Sequence, residues 1–104
     1  MPHISPQTHA NILRTVRLLL SDVRELRRVA KSKNGSKWFD ITESTLSNLH
    51  EAVTKIKDRD RLIILLKNAD AVMSVNGGGD VAPLVKQARE AFKASWEALE
   101  KLGT

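Results

Sequence analysis

The sequence predicts an all-α protein, an antiparallel up-and-down bundle of three to four amphipathic helices. Apolar residues recur at steps of three and four through most of the 104 residues, which is the spacing of a helix with one buried side. The five glycines and three prolines are clustered between these segments, whereas a protein of many strands would spread them over many turns. Short links between such helices favour antiparallel neighbours.

Composition sets the broad class of protein. With 41% hydrophobic and 28% charged residues, the chain is expected to fold as a single domain over residues 1–104. Its longest apolar runs, at 18–20 and 62–66, are too short to cross a bilayer, and the first ten residues lack the basic and apolar regions of a secretory signal. The absence of cysteine excludes disulfides and thiol chemistry and fits a cytoplasmic location.

The first helix is predicted over residues 6–33. Ser5 is a good N-cap, and Pro6 suits the first helical position because no amide hydrogen is needed there. Asn34 and Gly35 supply a left-handed stop. Leu13 and Leu20 widen an apolar seam with heptad-like spacing, whose members are Ile12, Val16, Leu19, Val23, Leu26 and Ala30.

The second helix is predicted over residues 41–57, with Asp40 or Thr42 as its cap. If Thr42 is the cap, Ile41 and Leu46 occupy the two positions of a hydrophobic staple. If Asp40 is the cap, Glu43 completes a capping box. Its apolar face consists of Leu46, Leu49, Val53 and Ile56.

A third helix is predicted over residues 60–75. The apolar stripe of this segment consists of Leu62, Leu65, Leu66, Ala69, Val72 and Met73. At about 100° per residue, this stripe and the one that ends at Ile56 point in nearly opposite directions. We therefore favour a turn at 57–60, with Asp58 or Asp60 capping a new helix. The alternative is one continuous middle helix whose two ends bury against different partners, which would imply an oligomer.

The last helix is predicted over residues 80–102, after the glycine-rich break at 76–80. Asp80 is the expected cap, and Pro83 lies in the first turn, where proline is tolerated. Its heptad seam is Val81, Val85, Ala88, Phe92, Ser95, Leu99 and Leu102. Its charges alternate in sign, as on an ordinary salt-bridged solvent face, at Lys86, Glu90, Lys93, Glu97 and Lys101.

Positive charge is concentrated at one end of the chain. The formal net charge is +5, and residues 1–38 hold eight Lys and Arg against two Asp and Glu, whereas residues 39–104 hold nine against ten. Almost all of the basic excess therefore belongs to the first helix and the loop after it. Such an asymmetry suggests an anionic partner more than a uniformly basic surface would.

A row of cations on the first helix is the main candidate binding site. Its members fall within a sector about 100° wide, away from the apolar seam. They are Arg14, Arg17, Arg24, Arg28 and Lys31. A row of arginines can follow a phosphate backbone, because each neutralised phosphate releases counterions and the guanidinium fork suits phosphate. The ordinary alternative is a solvated helix face.

Lys33, Lys37 and Trp38 extend this candidate nucleic-acid-binding set. An aromatic ring beside cations can stack on the bases of a single strand. The more usual role of an aromatic pair such as Trp38 and Phe39 is to close the end of a helical core, and we favour that role for the rings.

A second candidate surface on the first helix lies off the main seam. Leu18, Arg27 and Val29 are its members, and we expect it to contact another subunit or a partner protein. Scattered exposed apolar residues are also normal on a monomer.

Catalytic and metal-binding patterns are missing from the sequence. His3, His9 and His50 have no metal-ligand spacing, and the glycines at 77–79 lack the Lys and Ser/Thr of a phosphate-binding loop. No catalytic residue, metal or cofactor is therefore predicted, and we expect a non-enzymatic protein.

Two functions fit these observations. The first is a small nucleic-acid-binding helical protein, or the helical subunit of a nucleoprotein assembly, that contacts the phosphates of DNA or RNA with little sequence specificity. The alternative is a protein–protein adaptor or regulator that self-associates, or binds an acidic partner protein, through the same first helix.

Overall fold

Four helices form the fold of this computed structural model, which describes residues 3–29, 36–75 and 77–102. They are α1 (Pro6–Val29), α2 (Ser36–Lys55), α3 (Arg59–Ser74) and α4 (Ala82–Lys101), with a 3-10 turn at Gly79–Val81. Each helix packs most closely against its neighbours in the chain, and α1 and α4 touch less extensively. The predicted all-α bundle is confirmed.

Contacts between the helix ends show that neighbouring helices run antiparallel. The His9 ring, near the start of α1, lies 2.6 Å from the carbonyl oxygen of Val53, near the end of α2. In the same way, Trp38 at the start of α2 bonds to the backbone near the end of α3. Between α3 and α4, Asp70 contacts Arg89 and the earlier Lys67 contacts the later Trp96, so these helices are also antiparallel. The order is therefore up, down, up, down, as expected for short links.

One hydrophobic core is shared by all four helices. The largest fully buried apolar side chains all come from the predicted seams: Val16, Val23, Leu46, Val53, Leu62, Leu66, Met73, Phe92 and Leu99. Full burial of one such side chain stabilises the fold by about 1.5–3 kcal/mol. Two residues of the predicted seams, Val72 and Leu102, are exposed and do not belong to the core. No helix in the described part of the chain combines the length and apolarity needed to span a bilayer.

The predicted start of α1 is confirmed. The amide of Thr8 donates to Oγ of Ser5 at 3.2 Å, which is an N-cap hydrogen bond, and Pro6 occupies the first helical position. The helix is described as far as Val29, so the predicted last turn to residue 33 and the stop at Asn34 and Gly35 lie outside the described residues.

The predicted start of α2 is wrong by five residues, because the helix begins at Ser36. Asp40 and Thr42 therefore lie inside the helix and cap nothing, and Ile41, the proposed staple residue, is exposed. The inward row begins with Trp38 and continues through Thr42, which is fully buried. Because Thr42 is polar, it interrupts the apolar pattern of this row, and the pattern alone did not indicate the first turn of α2.

The predicted break between α2 and α3 is confirmed, and the alternative of one continuous middle helix is wrong. α2 ends at Lys55, and α3 begins at Arg59 with Asp58 in the N-cap position, although the Asp58 side chain makes no capping hydrogen bond. The segment before α1 supports this link, since the amide of Ile4 donates to the carbonyl oxygen of Lys57 at 3.1 Å. The reversal lets both apolar stripes face the same core.

The entry to α4 differs from the prediction. A 3-10 turn precedes the helix, Val81 is the N-cap residue, and the Asp80 side chain, inside the turn, does not cap the helix. Gly79 has φ of 62°, the left-handed region that favours glycine. Pro83 lies in the first turn of α4, as predicted.

Candidate functional site

The basic face of α1 consists of Arg14, Arg17, Arg24 and Arg28, all of which are exposed. The opposite side of the helix carries Ile12, Val16, Leu19 and Val23, all of which are buried. Burial of this seam fixes the rotation of α1, so the arginines must face solvent. The predicted separation of a dry side and a basic side on one helix is what the structure shows.

Three of these four arginines have no carboxylate partner. Arg14, Arg17 and Arg24 make no side-chain hydrogen bond or ion pair within the described residues. Arg28 pairs with Glu25 at 2.6 Å, but both side chains are more than 60% exposed. Exposed pairs of this kind contribute about 0–1 kcal/mol, so Arg28 is easily transferred to another anion.

A shallow groove of about 330 Å³ runs along this face. Leu20 and Ser21 line it between the charged side chains of Arg17, Arg24, Glu25 and Arg28. Guanidinium groups beside a small hydroxyl can hold a phosphate through paired N–H donors. The single carboxylate in the groove, that of Glu25, is the one that Arg28 already neutralises.

Arg27 lies beside this face but has a different role. Its guanidinium contacts Asp40 at 2.5 Å and Glu43 at 3.2 Å, both on α2. The hydrogen bond that the Arg27 guanidinium donates to Asp40, followed by the one it donates to Glu43, raises the pKa of Arg27 above its ordinary value. Its charge thus joins the end of α1 to the start of α2, and its side chain remains 40% exposed.

Leu18 and Val29, the other two candidate interface residues, are exposed by 54% and 59%. Val29 also lines a groove of about 400 Å³ between α1 and α4. Three carboxylates, those of Asp22, Glu25 and Asp80, lie along the same groove. This edge of α1 is therefore apolar and acidic, in contrast to the basic face.

The other predicted nucleic-acid-binding residues are three lysines and Trp38. Lys31 and Lys33 lie outside the described residues, and Lys37 is exposed at the start of α2. Trp38 is only 4% exposed, its indole N–H is bonded to the backbone of α3, and its ring packs edge-on against Phe39 with centroids 5.2 Å apart. Its inclusion in the nucleic-acid-binding set is wrong, because no ring face is free to stack on a base; the rings close the core.

The last helix provides a comparison with the basic face. Lys93 pairs with Glu97 at 3.9 Å on its exposed side, within the alternating pattern that the sequence showed. Arg89 of the same helix reaches the largely buried Asp70 of α3 at 3.5 Å. On α1 the nearby acid Glu25 pairs with Arg28, and in the described part of the chain no carboxylate pairs with Arg14, Arg17 or Arg24.

Other kinds of site receive no support from the described residues. Among them, no three His, Cys, Asp or Glu side chains lie close enough together to hold a metal ion. His9 has a structural contact instead, with the carbonyl oxygen of Val53, which no local pattern in the sequence could have indicated. The glycine-rich segment leads into the turn before α4.

Comparison with known proteins adds nothing to this description: no protein-family model, no curated protein and no solved structure matches the chain.

Proposed function

We propose that this is a small non-enzymatic protein that binds nucleic acid, or the helical subunit of a nucleoprotein assembly, and that its basic face contacts the phosphate backbone of DNA or RNA. One observation carries the proposal. Arg14, Arg17 and Arg24 form an exposed row that has no carboxylate partner in the described part of the chain. Such a row retains its full charge for an external anion.

The spacing of the row suits a phosphate backbone. From Arg14 to Arg28 the helix rises about 21 Å, at about 1.5 Å per residue. A duplex strand presents a phosphate about every 3.4 Å along its axis, so the row spans about six phosphates and can neutralise three or four. No base-reading motif accompanies it, and we expect binding with little sequence preference and a steep dependence on salt.

A solvated surface is the competing explanation, and the rest of the protein argues against it. Arg27, Arg59 and Arg89 each lie within 3.5 Å of a carboxylate. On α4 the exposed charges alternate in sign. Arg61 on α3 is also exposed and has no carboxylate partner among the described residues, but the basic face holds three such arginines on one side of one helix.

The second candidate is a protein–protein adaptor that binds an acidic partner protein through α1. It is favoured by the exposure of Leu18 and Val29 on the helix that carries the arginines. The same charges would attract either partner, but an acidic protein lacks the regular phosphate spacing.

The absence of cysteine suits the reducing cytoplasm, where we place either activity.

The proposal is tested by titrating labelled single- and double-stranded DNA and RNA at salt concentrations from about 50 mM to about 300 mM. We expect dissociation constants on the order of micromolar at the lowest salt, rising steeply with salt. Absence of binding to all four probes at low salt would refute the proposal and leave the adaptor function.

A charge-matched pair of variants assigns the site. The first carries Arg14→Gln, Arg17→Gln and Arg24→Gln; the control carries Lys55→Gln, Lys86→Gln and Lys93→Gln, which removes the same charge from α2 and α4. The first should lower the slope of log K against log salt by about 2–3 on duplex DNA, and the control should change it by less than about 1. Equal losses in both would mean that net charge, and not the basic face, binds the nucleic acid.

A further inference from the structure

The four aromatic side chains of this protein do not lie on the basic face of α1. The chain has two Trp, two Phe and no Tyr, and all four rings belong to the described residues. Trp38, Phe39 and Phe92 are buried in the core. Trp96 is partly buried, so its position decides whether any of these rings can meet a nucleic acid bound to α1.

Trp96 lies on the side of α4 that faces α3. Its ring packs against the core, and the ammonium group of Lys67 on α3 lies 5.9 Å from the ring centroid. The side of α4 that faces α1 is marked by Gln87, whose amide donates to the carboxylate of Asp22 at 3.0 Å. At about 100° per residue, Gln87 and Trp96 point to opposite sides of α4. The Trp96 ring is therefore turned away from α1.

The imidazole rings and the groove between the arginines provide no stacking surface either. His9 and His50 are half-buried, and the His9 ring contacts a backbone carbonyl oxygen of α2. His3 precedes α1 and lies more than two helical turns before the first arginine of the basic face. Within the groove, the one apolar side chain is that of Leu20, which is aliphatic.

We propose that the basic face prefers duplex DNA or RNA to single strands, an inference that rests on the nucleic-acid-binding function proposed above. Proteins that hold single strands gain much of their affinity by stacking the bases on aromatic rings. The surface around Arg14, Arg17 and Arg24 offers guanidinium groups for phosphates and no such ring. Binding through phosphates alone depends on the charge density of the nucleic acid.

A duplex has the higher charge density, so each phosphate contact releases more counterions from it. The slope of log K against log salt is about −0.9 per contact for a duplex and about −0.7 for a single strand. Three arginines, or four with Arg28, give slopes of about −2.7 to −3.6 and about −2.1 to −2.8. Relative to about 1 M salt, this difference favours the duplex about six- to elevenfold at about 50 mM salt.

The rigidity of the row has the same consequence. The arginines lie on one helix whose rotation is fixed by burial of Val16 and Val23. A duplex presents its phosphates in a regular array before it binds. A single strand has to be ordered along the row, which costs conformational entropy and lowers its affinity further.

Competition between a duplex of about 20 base pairs and each of its separated strands tests this preference, in DNA and in RNA. The duplex should bind about six- to elevenfold more tightly at about 50 mM salt and about threefold more tightly at about 200 mM. A single strand of either kind that binds at least as tightly as its duplex overturns the inference and leaves the nucleic-acid-binding function intact. Absence of binding to every probe refutes that function, and the inference with it.

Tryptophan fluorescence provides a second readout. Because Trp38 is buried and Trp96 faces α3, saturation with single strand should leave the emission intensity unchanged. Trp96→Leu should retain the affinity for single strands within about twofold, whereas Arg17→Gln with Arg24→Gln should lower it at least about fivefold at about 50 mM salt. Quenching by a single strand, or a larger loss in Trp96→Leu than in the arginine variant, would show a stacked ring and overturn the inference. The fluorescence measurement uses the wild-type protein, so it is valid whether or not Trp96→Leu folds.

Discussion

The indole N–H of Trp38 donates a hydrogen bond of 2.8 Å to the backbone carbonyl oxygen of Met73, and this bond joins the start of α2 to the end of α3. Both residues are buried, so the bond is shielded from water. A buried N–H that loses its acceptor costs more than the bond itself contributes, which makes this end of the bundle sensitive to substitution.

Trp38→Phe should lower the free energy of unfolding by about 1–3 kcal/mol, because it removes the donor, leaves the Met73 carbonyl unpaired and empties part of the pocket. Urea unfolding followed by circular dichroism measures it. Trp96→Phe is the control, since Trp96 is only partly buried and should cost less. An equal loss in both variants would mean that ring volume alone matters at residue 38.

Thr42→Val should leave the stability unchanged or raise it by up to about 1 kcal/mol. The Thr42 side chain is fully buried, and its hydroxyl has no hydrogen-bond partner in the described part of the chain. Valine keeps the shape and removes the unsatisfied group. Thr42→Ser keeps the hydroxyl but removes a methyl group, and it should destabilise by about 1 kcal/mol. Destabilisation by valine would show that the hydroxyl is satisfied in solution.

Gly77→Ala should destabilise by about 1–3 kcal/mol. A Cβ at Gly77 would lie 2.7 Å from Cγ2 of Val85 and 2.9 Å from the Met73 carbonyl oxygen, so α3 and α4 would have to separate. Gly78→Ala is the matched control, because a Cβ there meets nothing within 4 Å. Thermal unfolding compares the two, and similar melting temperatures would contradict the close approach.

Arg27→Ala should lower the melting temperature more at low salt than at high salt, because it breaks the ion pairs with Asp40 and Glu43. The pKa of Arg27 is raised in the folded protein, so its contribution is complete below its ordinary pKa and is lost only above the folded value, far into alkali. Arg28→Ala, which breaks a pair within α1 only, should have a smaller effect. A loss that does not depend on salt would indicate packing and not charge.

Much of the candidate site could be predicted from local spacing. The spacing predicted that four arginines lie on the outer side of α1, because burial of the apolar seam fixes the rotation of the helix about its axis. They are Arg14, Arg17, Arg24 and Arg28. The sequence could not show which of them would be neutralised. Nor could it show that the Trp38 ring is buried, because a Trp-Phe pair beside cations fits either a core or a stacking surface.

The sequence by itself determined the all-α class, the amphipathic segments and the charge asymmetry, because each depends on residues within a few turns of one another. It favoured a reversal between α2 and α3 but left one continuous helix open, and the structure decided between the two. The tertiary structure alone decided where α2 begins, which arginines remain unpaired and which apolar surface is left open. These outcomes depend on pairs that are remote in the chain: Arg27 and Asp40 are 13 residues apart, Trp38 and Met73 are 35 apart, and His9 and Val53 are 44 apart. Such pairs form only when the helices pack, so no local pattern encodes them.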